Sequence, residues 1–253
     1  MRLSFRLYLM LAVYMLLFAF ALRVIHLSQT SLWIDDILTY NTLAKSDSIE
    51  GFVQGVIDRK IHVPAYFAVS RLYPDKHNDF SVRYPNVLWG LLAIAILMQV
   101  VKRFYGRAEL ALLAGLILVV HPYFILLSRE ARPYPMSMML TLSASYLFLR
   151  WMSQATLNRR QVVGLLLVLM LAYLTHYATL LLIPAQLLTI GWQVWRKRLP
   201  RKSWGIGFLI QGVAVVPTVY WEVFVSSPNR SPSVLTWIAP LTPGRLLEGV
   251  SQQ

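Results

Sequence analysis

The sequence predicts an all-α integral membrane protein of about seven transmembrane helices, with a long first outer loop carrying short interfacial helices. Three observations lead there. Of 253 residues, 57% are hydrophobic and only 14% charged, where a soluble domain carries about 25% charged residues. Mean hydropathy is +0.55. The apolar residues fall in long runs that charged residues open and close. There is no cysteine, which excludes disulfides, zinc–thiolate sites and thiol catalysis.

The first run, Leu7 to Leu22, lies between Arg6 and Arg23. Arg2 and Arg6 would suit a signal peptide, but Leu22 to Leu27 offers no small-residue cleavage site, so the run reads as a retained helix. The second is Tyr84 to Val101, 18 uncharged residues; the third is Leu110 to Ser128, 19 residues; the fourth is Pro133 to Leu149, 17 residues. Each is close to the roughly 20 residues that cross a hydrocarbon core. Gln161 to Trp195 is uncharged for 35 residues, roughly 52 Å as one helix at about 1.5 Å per residue. That is too long for one span. Basic clusters at both ends, Arg159-Arg160 and Arg196-Lys197-Arg198, predict a hairpin with its tip at Thr175-His176-Tyr177. Ser203 to Trp221, closed by Glu222, is the seventh run.

The net charge of +13 would suggest nucleic acid on a soluble protein. Its distribution says otherwise. With a cytoplasmic N-terminus, the inner segments carry 13 basic residues and one acid, Glu109, whereas the outer ones carry 11 basic and 10 acidic. Nearly all the excess follows the positive-inside rule, so a nucleic-acid partner loses its support. The expected location is a cell membrane, with a bacterial inner membrane the best fit, and the active face outside.

The whole chain, 1–253, reads as one membrane domain, with a first outer loop at 26–83 and an outer tail at 222–253. The loop holds seven of the eleven acids, and its segments Ile37 to Leu43 and Pro64 to Leu72 are apolar enough for interfacial helices. Other outer features are Ser128 to Tyr134, the hairpin tip and the tail. Together they place carboxylates, histidines and arginines at the rim of a lipid-facing bundle, where a lipid-linked phosphate would meet them.

Asp35 and Asp36 fit either of two roles. They could cap the helix that follows. As adjacent carboxylates they also repel, which makes one a stronger proton acceptor and a candidate general base. His62, just before Pro64, suits a helix start as well as a ligand, and Arg83 could be a snorkelling arginine. Glu130-Ala131-Arg132 is more informative, because charges near membrane depth are costly unless paired or functional. Arg132 has the planar, two-pronged donor set that a phosphate requires, and Glu130 could orient it. His176 and Tyr134 are weaker additional candidates, Tyr134 being equally at home in an interfacial aromatic belt. No glycine-rich nucleotide loop, HExxH or CxxC occurs.

In order, these segments resemble the polytopic C-type glycosyltransferases of the protein-mannosyltransferase and aminoarabinose-transferase superfamily. Leu32-Trp33-Ile34-Asp35-Asp36 is similar to that family's Asp-Glu pair, with Asp36 one methylene shorter than the usual Glu. His62-Val63-Pro64-Ala65-Tyr66 resembles a His-Pro-Pro-Leu-Tyr block with Val63 for the first proline, and Arg83-Tyr84-Pro85-Asn86 resembles Arg-Leu-Pro-Ser. Ser128 to Tyr134 is similar to Ser-Gln-Glu-Ala-Arg-x-Tyr, and Thr175-His176-Tyr177 recurs in bacterial members. The likeness runs from about 3 to 195. It implies a sugar taken from a polyprenyl phosphate at the outer leaflet, with Asp35 as base and His62, Arg83 and Arg132 near the phosphate. Family members are usually about twice this length, so the chain is expected to hold the shared core of a longer protein.

The leading expectation is therefore an inverting glycosyltransferase. Its partners would be a polyprenyl-phosphate-linked sugar, membrane lipids, and a glycan, lipid or protein acceptor. No cofactor is expected, and no ligand spacing calls for a metal. Two rivals stand beside it. A lipid-linked sugar transporter or flippase would want charges within several spans, and the seven runs contain none. An inactive partner subunit is the other.

Overall fold

Charge-bounded apolar runs become helices because a backbone in hydrocarbon must satisfy its own hydrogen bonds. The computed structural model describes residues 4–29, 34–44, 48–58, 63–72, 78–154 and 158–226; for Ile34, Asp35, Leu38, Ala44 and Asp58 it describes the backbone alone. Every regular element among the described residues is helical. In chain order these are α1 (Phe5–Val24), α2 (Ile34–Ala44), α3 (Ile49–Asp58), α4 (Ala65–Arg71), α5 (Asp79–Tyr105), α6 (Ala108–Val120) and α7 (Pro122–Leu127). Then come α8 (Tyr134–Gln154), α9 (Arg159–Tyr173), a 3₁₀ turn (Tyr177–Leu181), α10 (Leu182–Trp195), α11 (Lys202–Tyr220) and a π turn (Trp221–Ser226).

Among the described residues, four helical stretches are long and apolar enough to cross a membrane: Phe5–Val24, Asp79–Tyr105, Tyr177–Trp195 and Lys202–Ser226. The other expected runs are helical too, but shorter or more polar. The third is broken, because Pro122 cannot continue the hydrogen-bond ladder and the backbone turns extended at His121. The fourth, α8, spans 21 residues yet contains four serines and a threonine or arginine at intervals along its length. The hairpin tip falls where expected, between the end of α9 at Tyr173 and the 3₁₀ turn at Tyr177. In the first loop, α2 and α4 cover the two expected segments; α3 is an addition.

Small residues let the long helices approach, as membrane packing requires. Ala12, Ala19, Ala93, Ala111 and Val119 meet in a first core of α1, α5 and α6. Ala144, Leu165, Leu169, Ile190 and Ala214 form a second, among α8, α9, α10 and α11. A third core fixes the first loop to the bundle. Phe52 and Val56 of α3 and Tyr66 and Phe67 of α4 pack on Met136, Leu140 and Ala172, with Trp221 alongside. The Ala65 N–H also donates to the Leu174 carbonyl at 2.8 Å, so α4 is tied to the end of α9.

At the opposite end of the bundle lie the basic clusters. Lys102 sits 4.0 Å from the centre of the Tyr8 ring, and Arg103 donates to Ser153 at 2.6 Å. There α5 stops on Gly106, whose φ of 67° favours a residue without a Cβ.

Candidate active site

The segments singled out in the sequence come together where α1 ends, α5 begins, α8 begins and α9 ends. α2 carries Asp35 and Asp36 in its first turn. Asp36 is buried and accepts from Arg83 at 3.1 Å and from the Ala131 N–H at 2.8 Å. Arg83, in the second turn of α5, also donates to the Leu27 carbonyl at 2.9 Å. It is buried by this pairing rather than reaching outward as a snorkelling side chain would.

One turn further along α5, the Asn86 amide donates to the Arg132 carbonyl at 2.7 Å and to the Glu130 carbonyl, and lies 3.2 Å from the Tyr66 hydroxyl. Asn86 and Tyr66 lie within the blocks that resemble the family, and neither is a site residue by residue type alone. The signal was there: a polar side chain one turn below Arg83, in a helix that crosses the bilayer, needs partners. Burial pushes the Tyr66 hydroxyl above its ordinary value, only partly offset by hydrogen bonds with Asn86 and Ser70.

With its backbone held by Asn86, Arg132 places its guanidinium over the Tyr134 ring, 5.3 Å from the centre, and donates to the Tyr134 hydroxyl at 2.9 Å. The Tyr134 ring in turn lies 5.4 Å from that of His176. His176 Nδ1 accepts from the Ala178 N–H at 3.1 Å. Burial lowers the pKa of His176, and the nearby Arg132 charge lowers it further. Its neighbour Tyr177 donates to Glu222 at 2.7 Å, bringing the end of α11 to the same rim.

Glu130 contributes its main chain to this arrangement through Asn86. The candidate His62 lies outside the described residues, as does the tail from 227, and Asp35 is placed by its backbone. Among the described residues no three His, Asp or Glu side chains gather as a metal site would need.

A buried carboxylate–guanidinium pair, a partly open arginine and aromatic walls thus meet at one end of a lipid-facing bundle. The model of the dolichyl-phosphate-mannose-protein mannosyltransferase family matches residues 64–221. The chain belongs to that family. The match covers α4 to α11, and so Arg83, Glu130, Arg132, Tyr134 and His176. No curated protein matches the chain. As a family member it is a glycosyltransferase of the protein-mannosyltransferase superfamily and a multi-pass membrane protein. The general kind of partner is a lipid-linked sugar donor with a glycan or protein acceptor.

Proposed function

We propose that the chain transfers a sugar from a polyprenyl-phosphate donor to an acceptor hydroxyl on the outer face of the membrane, with inversion at the anomeric carbon. The observation that carries this reading is the meeting of four distant segments, 34–36, 83–86, 130–134 and 174–177, at one end of the bundle. Asp35 is the base. Asp36 is committed to Arg83 and to the Ala131 N–H, which leaves its neighbour for proton transfer.

In the reaction the acceptor oxygen gives its proton to Asp35 and bonds to the anomeric carbon. The bond from that carbon to the donor's phosphate oxygen breaks, and its electron pair leaves with the lipid phosphate. Charge on the sugar is oxocarbenium-like midway. The growing negative charge on the phosphate is met by Arg132, whose planar donors match two of its oxygens. Arg83 acts through Asp36, and His62 and His176 are further phosphate or sugar contacts. No nucleotide or metal enters the scheme.

Asp35→Asn tests it. The variant keeps the size of the side chain but cannot take a proton at neutral pH. A general base contributes about 10² to 10⁴-fold in rate, whereas a capping aspartate contributes about 1 kcal/mol to stability. The variant should unfold as the parent does and bind polyprenyl-phosphate sugar, with transfer lost. Near-parental turnover would move the base elsewhere, with Asp36 the first candidate.

A further inference from the structure

Arg23 ends the last turn of α1 with none of its surface exposed. A guanidinium buried among apolar helices is costly unless its donors are met. Among the described residues no carboxylate pairs with it. Instead Nη1 donates to the carbonyls of Ala19 at 3.1 Å and Val119 at 3.3 Å, and Nη2 donates to that of Leu118 at 3.3 Å. The group lies over the Phe124 ring, 5.3 Å from its centre.

The two acceptors on α6 are special. In an uninterrupted helix the Leu118 carbonyl would accept from residue 122 and the Val119 carbonyl from residue 123. Residue 122 is proline and has no N–H, and the backbone at His121 is extended, with φ −65° and ψ 114°. The end of α6 is therefore a pair of open acceptors at the negative end of a helix dipole. One planar guanidinium can serve both.

That break sets the course of the chain into the site. α7 has only six residues. Directly after it, Ser128 Oγ donates back to the Phe124 carbonyl at 2.6 Å, Arg129 donates to the His26 carbonyl at 2.9 Å, and the Ala131 N–H reaches Asp36. The close of α1 and the segment that follows it, 23–27, thus meet α6, the 128–132 loop and α5 through three arginines, Arg23, Arg129 and Arg83.

We propose that Arg23 is a positioning residue for glycosyl transfer: by supplying the donors that Pro122 and the extended turn at His121 withhold, its guanidinium fixes the angle between α6 and α7 and so holds the Ala131 N–H against Asp36. The effect on transfer rests on the function proposed above; the effect on the loop does not.

Hydrogen–deuterium exchange on the full chain in lipid nanodiscs separates the two. Arg23→Leu should speed exchange over residues 128–132 by about tenfold or more while α9 to α11 keep parental rates. Adding Pro122→Ala supplies an N–H that can reach the Leu118 carbonyl only if His121 turns helical and the α6–α7 angle is lost, so it should not recover the protection. Arg23→Gln, neutral but with two donors, should fall between parent and Arg23→Leu, and carries the same comparison if Arg23→Leu does not fold. Where transfer is measured, kcat should fall by about 10 to 100-fold with the donor KM near parental. Unchanged exchange over 128–132 overturns the proposal. So does an equal rise in every helix, which would make Arg23 a general stabiliser. A parent chain without transfer would count against the proposed function alone, since the exchange comparison needs no turnover.

Discussion

Asp36 and Arg83 stand 3.1 Å apart with side chains only 1% and 3% exposed, although 47 residues separate them in the chain. Because Asp36 also accepts from the Ala131 N–H, one carboxylate ties the first loop to both α5 and the loop before α8. Removing one partner of a buried pair leaves the other charge uncompensated, at a cost of about 3–5 kcal/mol. Asp36→Asn and Arg83→Ala should each lower the unfolding free energy in detergent by about that much. Combined, they should cost clearly less than the sum. Additive losses would show that the two side chains do not depend on each other.

Arg132 differs from Arg83 in being only partly buried, with Tyr134 under its guanidinium. In the proposed function it receives the lipid phosphate. Arg132→Lys keeps the charge but loses the two parallel donors. A hydrogen bond to a charged group is worth about 1.5–3 kcal/mol, so polyprenyl phosphate should bind the lysine variant about tenfold or more weakly in a titration. Binding by Arg132→Ala as tight as the parent's would remove Arg132 from the phosphate site.

Much of this architecture is legible in the sequence, and the reason is physical. Hydrocarbon tolerates few charges, so Arg83, Lys102, Glu109, Arg129 and Glu222 mark helix ends with little help from propensity. The hairpin tip at Thr175-His176-Tyr177 follows from the same logic. What was not legible is which boundary charges turn inward. Arg23 and Arg83 look alike as span ends, yet both are buried, one on open carbonyls and the other on Asp36. Those partners lie 95 and 47 residues away, and no local pattern predicts them. The break in the third run could have been read from Pro122, but its consequence depends on Arg23. Amphipathic α3, Ile49–Asp58, is not legible because its polar residues resemble ordinary loop.

His176 provides a pH signature. Burial, and then the Arg132 charge, lower its pKa from 6.5. The folded protein therefore holds a neutral imidazole at a pH where the unfolded chain already takes up a proton. Stability from this group is fully present above about 6.5 and is lost as pH falls toward the lower folded value. The unfolding midpoint should hold steady above about pH 6.5 and decline below it, and His176→Gln should flatten that part of the curve. Arg132→Ala, by removing the second cause, should make the decline shallower. An identical decline in His176→Gln would place the titrating group elsewhere.

The proposed outer active face makes a further demand on topology. The site end of the bundle also holds the loop with most of the acids, whereas Lys102, Arg103, Arg150, Arg159 and Arg160 sit at the other end. Positive charge is retained on the cytoplasmic side, so the site end should face outward. The chain has no cysteine, and single cysteines can therefore be placed without background. Ser48, just before α3, and Asn158, the N-cap of α9, are both exposed and lie at opposite ends. In intact cells a membrane-impermeant maleimide should label Ser48→Cys and spare Asn158→Cys until the membrane is opened. Substituting Asn158 also removes a capping box, worth about 1 kcal/mol, which the adjoining membrane helices should absorb. Labelling of Asn158→Cys alone would turn the protein over, put the site in the cytoplasm and exclude an outer-leaflet donor.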